Sequence, residues 1–295
     1  MSTPARALPR RLAVSGAAGV GARLRFTRLR EGKVGLALVA FVLLTAFIGP
    51  LLAPHDPAQV VGQPVQGPGA GHLLGTDGLG RDVLSRLLHG GRSVIGLALL
   101  SMVMAYAIGM AAGLSAGYRR GWYDELITRG ADILLSFPPL LLMLLLLTGA
   151  GSGWLVLVIG VALVHLPGIT RLVRAATLET TGRAYVEAAE VNGESTAAIL
   201  RRELLPAVLP SLIADAGLRY TFCILMVAAV NFLGLGLQPP AADWALMISE
   251  NRLYITLNPW AIAAPAVLIA ALTIGVNLVG DAISRSLGRS NLEAV

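Results

Sequence analysis

The sequence predicts an all-α membrane protein with six transmembrane helices. Hydrophobic residues make up 55% of the chain and charged residues only 14%, which is too few to solvate an ordinary globular surface. The apolar residues gather into runs long enough to cross a bilayer, and these runs lack the strict alternation of barrel strands. Because a backbone in lipid must satisfy its own hydrogen bonds, a helical bundle follows.

Six apolar runs have the length and the low charge of transmembrane helices. The first has no small-residue cleavage site after it, so we expect it to stay in the membrane. The third is interrupted by the sequence Ser136-Phe137-Pro138-Pro139. In the fifth, Asp215 and Arg219 are four residues apart and can pair on one helix face. The six runs cover residues 34–53, 94–116, 133–150, 154–169, 212–237 and 260–279.

The distribution of basic residues predicts the orientation of the bundle. Eighteen Lys and Arg residues lie in the N-terminal segment, the second and fourth connections and the C-terminal tail, against four in the alternate connections. The positive-inside rule therefore predicts a multi-pass protein of the cell membrane with both termini in the cytoplasm. We divide the chain into a basic cytoplasmic segment, a transmembrane domain and a cytoplasmic tail, at residues 1–32, 33–288 and 289–295.

The fourth connection, residues 171–211, is a long cytoplasmic loop in this topology, and loops of that length usually carry function. Residues 185–192 predict a short amphipathic helix that Gly193 ends. A second short helix is expected from about residue 196 to 204, with Pro206 and Pro210 ending it before the fifth span.

This loop resembles the EAA loop of binding-protein-dependent ABC importer permeases. The resemblance rests on Glu187-Ala188-Ala189, on Gly193 after three intervening residues, and on Leu205-Pro206, which lie at the family's spacing. It implies a type I ABC importer permease fold in which this loop is a coupling helix that fits a groove on an ATPase subunit. The residues that it assigns to the coupling loop are Tyr185, Glu187, Ala188, Ala189, Gly193, Leu205 and Pro206.

Two other segments, His72–Leu88 and Asn231–Pro240, resemble the second permease of dipeptide, oligopeptide and nickel importers, and the likeness extends from about Lys33 to Gly288. Residues 79–88 predict a short interfacial helix outside the membrane. It is either a structural bracket that caps the second span or a contact for the solute-binding protein or outer gate. The residues singled out there are Gly75, Thr76, Asp77, Gly80, Arg81 and Asp82.

Polar and glycine residues at membrane depth are candidates for the pathway or a gate. We single out Asn231 and Asn277 within spans, and Gly234 and Gly236 at the end of the fifth span. Interhelical hydrogen bonding and helix packing explain the same residues equally simply.

The chain carries no nucleotide-binding or catalytic motif, since its sole lysine, Lys33, is followed by valine rather than Ser or Thr. A single cysteine, Cys223, and four histidines without ligand spacing predict no disulfide and no metal site. The resemblance implies a non-catalytic subunit whose ATPase partners bind ATP and Mg²⁺. The other partners it implies are a second homologous permease, an extracytoplasmic solute-binding protein and the lipid bilayer, without nucleic acid.

The function that the resemblance implies is a translocation path for di- or oligopeptides. A permease for nickel or a metal chelate is the alternative within the same family. An ion-driven secondary transporter is the rival outside it, which would require acidic residues near mid-membrane and two related halves.

Overall fold

The structure is a computed structural model that describes residues 30–69 and 71–292, with side chains described up to residue 286. The basic N-terminal segment up to residue 29 and the last three residues of the tail lie outside the described residues. The α-helices in the described part are α1 Arg30–Phe47, α2 Val83–Arg119, α3 Gly121–Ser136, α4 Pro139–Ala150, α5 Trp154–Thr181, α6 Ala184–Val191, α7 Thr196–Ile199, α8 Leu205–Phe232, α9 Trp244–Asn251 and α10 Trp260–Leu292.

Among the described residues, four helical stretches are long and apolar enough to cross a membrane: α2, α5, the continuous stretch Thr196–Phe232, and Trp260–Ser286 within α10. A fifth crossing is possible if α3 and α4, which are bent by 90° relative to one another, form one broken span. The bend falls at Phe137 and Pro138, both extended, where proline cannot continue the helical hydrogen bonds. The expected interruption of the third run is therefore confirmed.

The first apolar run forms α1, which is 18 residues long and has charged residues at positions 30, 31 and 33. A 3₁₀ turn, Gly49–Leu51, follows it. The chain is thus a multi-pass helical protein, and a count of six crossings stays a prediction.

The centre of the bundle is the contact of α2 with α5, which is the most extensive helix pair. Gly109, Gly113 and Gly117 form one stripe of α2 at a spacing of four residues. A methyl group on Gly113 would lie 2.6 Å from the Val173 Cβ and 2.7 Å from the Thr170 carbonyl oxygen. Glycines at this spacing let two helix backbones approach closely, which in lipid supplies packing that the hydrophobic effect does not.

Two expectations about local structure are wrong. The expected separate helix over 79–88 does not form, because residues 83–88 are the first turns of the 37-residue α2. The prolines after the second loop helix do not end it either. A π turn, Leu200–Leu204, joins α7 to α8, and the Leu205 amide bonds to the Leu200 carbonyl five residues back. The wider turn brings Pro206 to the first positions of α8, where its missing amide costs little.

Buried apolar residues form two clusters at the two ends of α2. One surrounds its beginning and includes Val83, Trp244 and Met247, so we call this end of the bundle the α9 end. The other surrounds its last turns and includes Leu114, Val173, Val186 and Leu204, and we call this the α6 end. The two groups of residues that the sequence singled out, 185–206 and 75–82, therefore lie at opposite ends.

Candidate functional site: the α6 surface and the opposite ion-pair cluster

The α6 helix forms the first of the two candidate surfaces, at the end where α2 and α5 terminate. Val186 and Ala189 are buried against the α6-end cluster, whereas Glu187 and Ala188 are exposed. Tyr185 is 42% exposed and Val191 is 87% exposed, so apolar as well as acidic side chains face outward. The helix is held by its inner face and presents an outer face of mixed chemistry, which is typical of a docking surface.

Gly193 ends α6 with a left-handed turn, as the sequence predicted. Its φ is +75°, its amide bonds to the Glu190 carbonyl at 3.0 Å, and the Glu194 amide bonds to the Ala189 carbonyl at 3.1 Å. This pair of bonds is a Schellman motif, which satisfies the last carbonyls of the helix and favours glycine at this φ. Ser195 then caps α7 through the Ala198 amide, so α6 and α7 form a rigid helix, turn and helix.

Leu205 and Pro206 lie at the start of α8, beyond the π turn. Leu204 and Ile199 from the preceding turns are buried in the same cluster as Val186. The α6 helix is therefore packed against the π turn that leads into α8.

The second candidate surface contains a buried ion-pair cluster, defined as Asp77, Arg81, Arg86 and Glu250. The Arg86 Nη1 atom donates to both Asp77 and Glu250 at 2.6 Å, and Arg81 reaches the same two carboxylates at 2.7 and 2.8 Å. Arg86 is fully buried and Asp77 is 1% exposed. Although burial opposes ionisation, backbone hydrogen bonds and the two arginines lower the pKa of the Asp77 carboxyl below its usual value. The cluster joins the α1–α2 connection to α9.

Asp82 is the N-cap of α2, which is the role that the structural alternative for this segment gives it. Its carboxylate accepts the Ser85 amide at 2.8 Å and the Ser85 hydroxyl at 2.6 Å. Thr76 is also buried and donates to the Gln63 carbonyl at 2.7 Å. Gly75 and Gly80 lie so close to the backbone of residues 62–67 that no side chain would fit at either position. Whether this surface also meets another protein stays a prediction.

Sequence analysis did not single out α9, which anchors the same end. Trp244 is fully buried against Gly90 and Gly91 of α2 and donates its indole N–H to the Leu87 carbonyl at 2.7 Å. Asp243 caps α9 and accepts the Ser93 hydroxyl at 2.6 Å, and burial raises the pKa of its carboxyl. The available signals were Asp243, a residue type that favours the N-cap position, and Glu250, a charge near the end of a largely apolar eight-residue helix.

The residues proposed for a gate have a structural explanation in most cases. Asn231 is buried and accepts the Leu237 amide at 3.0 Å, and a side chain on Gly236 would collide with its Oδ1 atom. Gly234 has a φ of +73° and ends α8 in the same type of turn as Gly193. Asn277 is half-buried in α10. These observations favour helix termination and packing for the first three residues, and a gating role stays a prediction.

The expected Asp215–Arg219 pair forms within α8. The two side chains are joined by hydrogen bonds of 3.1 Å, and the Tyr106 hydroxyl of α2 donates to Asp215 at 2.7 Å. His165 of α5 borders an open groove of about 320 Å³. The other residues lining it come from α4, α5 and α8: Pro139, Leu140, Val164, Phe222, Leu225, Met226 and Ala229.

Comparison with known proteins decides the family. Residues 109–290 match the model of the binding-protein-dependent transport system inner membrane component. The chain belongs to this family. Residues 20–68 also match the N-terminal transmembrane domain of oligopeptide transport permease C. The expected resemblance is therefore confirmed over both parts of the chain.

Curated relatives share about a third of their residues with this permease. It is 36% identical over 260 residues to the di/tripeptide transport system permease DppC of Pseudomonas aeruginosa, covering 86% of each chain. It is 34% identical to the dipeptide permease DppC of Alkalihalophilus pseudofirmus, covering 90% of this chain and 88% of the relative. The glutathione transport system permease GsiD of Pectobacterium atrosepticum is also 34% identical, with coverages of 89% and 88%.

A solved structure of the inward-facing MetNI methionine ABC transporter has the same fold. The TM-score is 0.56 at 21% identity, and the match covers 68% of this chain and 96% of the other. The expected type I importer permease architecture is thereby confirmed at the level of the fold.

Proposed function

We propose that this chain is one of two homologous permeases of an ATP-binding-cassette importer for small peptides. A solute-binding protein delivers a di- or oligopeptide, the two permeases form the path, and two ATPase domains bind ATP and Mg²⁺. This chain supplies no catalytic residue. What supports the peptide class, in preference to nickel, is that the curated relatives named above are permeases for di- and tripeptides and for glutathione.

The single observation that carries the mechanism is the α6 surface. It is held rigidly from the inside by Val186 and Ala189 and leaves Glu187 and Ala188 free to contact another protein. Ala188 allows close approach, and the Glu187 carboxylate suits an arginine or lysine on the ATPase. ATP binding would draw the two ATPases together, move α6, and shift α8 through the π turn. In this proposal both termini face the cytoplasm.

In this proposal the translocation path runs along the groove beside His165. It is open, it is bordered by α4, α5 and α8, and it contains one polar side chain among apolar ones. A second permease covering this groove would convert it into a channel at the centre of the complex. A wall of mainly apolar side chains suits a peptide importer because it binds varied side chains weakly and lets them pass.

Photo-crosslinking tests the docking surface in the assembled complex. A benzoylphenylalanine is introduced at Ala188 and, as a matched control, at Ala263, which is exposed on α10. We expect the ATPase subunit to be captured from position 188 and not from position 263. Equal capture at both positions, or none at 188 in a complex that still hydrolyses ATP, would contradict the proposal.

Charge reversal tests the coupling. Glu187→Arg should abolish substrate-stimulated ATP hydrolysis while the complex still assembles. The control is Glu125→Arg on α3, where the carboxylate is also exposed and forms only a local pair with Arg129. If both variants lose stimulation to the same extent, the effect is one of general charge and the assignment of α6 fails.

A further inference from the structure

The α9 end contains a second polar cluster, built from His55, His72 and Asp82. One nitrogen of each imidazole and a carboxylate oxygen all lie within 4.8 Å of one another. The His72 Nδ1 atom is 3.6 Å from one Asp82 oxygen, and the His55 Nδ1 atom is 3.9 Å from the other. The histidines are seventeen positions apart in the chain, so their spacing did not suggest a site.

The two nitrogens that face Asp82 have their hydrogen-bonding capacity unused. The Nδ1 atoms of His55 and His72 are both buried and have no hydrogen-bond partner among the residues that the structure describes. Buried polar atoms are normally paired, so two such atoms aimed at one carboxylate call for an explanation. The rings are tilted at 49° with centroids 5.9 Å apart, so they do not stack on each other.

The distribution of charged side chains also indicates that Asp82 lacks a positive partner among the described side chains. In the ion-pair cluster, the arginines at 81 and 86 contact the Asp77 and Glu250 carboxylates. Within the described part of the chain, Asp82 has only the Ser85 amide and hydroxyl and the two histidines near it, with no Lys or Arg partner. Its 2% exposure leaves little room for water to stabilise the charge. A bound cation would satisfy the carboxylate and both nitrogens together.

The surrounding contacts hold all three side chains in place. The Ser85 hydroxyl donates to Asp82 and also accepts the His55 amide at 3.1 Å, so one residue orients two of the three groups. The His72 carbonyl accepts the amides of Gly69 and Gly75, each at 3.0 Å, which fixes a tight turn. Outer contacts of this kind orient the ligands in established metal sites.

We propose that His55, His72 and Asp82 bind a divalent transition metal of the Zn²⁺ class. Two imidazole nitrogens and one carboxylate oxygen suit such an ion better than Mg²⁺ or Ca²⁺, which prefer oxygen ligands alone. Tetrahedral metal–ligand bonds of about 2.0–2.2 Å place the donor atoms roughly 3.4 Å apart, and the two histidine–carboxylate separations of 3.6 and 3.9 Å are close to that value. The metal ties the α1–α2 connection to the first turn of α2, and the fourth coordination position is left for water. The proposal does not depend on the transported substrate.

Metal titration of the full-length chain, purified in detergent without a polyhistidine tag, tests this site. After chelation, Co²⁺ is added and its visible absorption and stoichiometry are measured. We expect one Co²⁺ per chain, displaced by Zn²⁺, with at least tenfold weaker binding in His55→Gln and His72→Gln. His89→Gln is the matched control, because His89 is at the same end and its Nδ1 atom contacts the Ser85 carbonyl instead.

Thermal unfolding separates lost ligands from lost folding. The apo forms of the wild type and of the two histidine variants should unfold at the same temperature, and Zn²⁺ should raise only that of the wild type and of His89→Gln. Wild-type protein that takes up no Co²⁺ would overturn the proposal, since the histidines are then merely ion-pair partners of Asp82. Unchanged binding in the double variant His55→Gln/His72→Gln would overturn it equally.

Discussion

Replacing Gly113 by alanine perturbs the contact on which the bundle depends. The new methyl group would lie 2.6 Å from the Val173 Cβ, 2.7 Å from the Thr170 carbonyl oxygen and 2.9 Å from the Val173 Cγ1. Two of these atoms are fixed by the backbone of α5 and cannot rotate away, so the helices must separate. Overpacking of this kind costs about 1–3 kcal/mol, while alanine recovers about 0.5–1 kcal/mol of helix propensity. The two ranges leave a net loss of about 0–2.5 kcal/mol, with a midpoint of about 1.2 kcal/mol.

Gly96 supplies the control, because it lies in the same helix and a methyl group there would meet no atom within 4 Å. Thermal unfolding of the purified protein measures both variants, with a shift of about 2–4 °C for each kcal/mol. From the midpoint of that range, we expect the unfolding temperature of Gly113→Ala to fall by roughly 2–5 °C and that of Gly96→Ala to stay level or rise. Equal unfolding temperatures for the two variants would refute the close-packing argument.

Three further outcomes are expected. Arg86→Met leaves buried carboxylates short of a partner and should cost about 3–5 kcal/mol in thermal unfolding, whereas Arg129→Met at an exposed pair should change nothing measurable. Gly193→Ala, at a φ of +75°, should cost about 1–2 kcal/mol and weaken stimulation of ATP hydrolysis, while Gly182→Ala, at a φ of −82°, should not. Folding lowers the pKa of the Asp77 carboxyl from 3.8, so the ionised carboxylate stabilises the folded state fully above that pH. This stabilisation is lost as the pH falls through the pKa of the folded state. The difference in unfolding temperature between the wild type and Asp77→Asn should therefore narrow below about pH 4 and stay constant above about pH 5.

Sequence reasoning succeeded where the determining contacts are local. The α6 helix and its end at Gly193 depend on residues within one turn, and the Asp215–Arg219 pair depends on a spacing of four residues. The break at Pro138 follows from the covalent structure of proline itself. The same local reasoning misjudged Pro206, because a π turn can bring a proline to the first positions of a new helix.

Contacts between distant parts of the chain could not be predicted from the sequence. Arg86 meets Glu250 across 164 residues, and the Trp244 indole meets the Leu87 carbonyl across 157. In neither pair does the sequence spacing indicate that the two residues are in contact. The same limit applied to His55 and His72, whose meeting point depends on the folded path of the α1–α2 connection. A single sequence shows which residues have unusual chemistry for their surroundings, but not which of them meet.

ATP-driven uptake of a labelled dipeptide tests the central claim most directly. The complex proposed above, of this chain with a second permease and the ATPases, is reconstituted into proteoliposomes, with the peptide-loaded binding protein on the extracytoplasmic face. We predict that peptide accumulates only when ATP and the binding protein are both present, and that Glu187→Arg abolishes accumulation and stimulated ATP hydrolysis together. Accumulation driven by an ion gradient, without ATP or the ATPase subunits, would contradict the account and establish an ion-driven carrier instead.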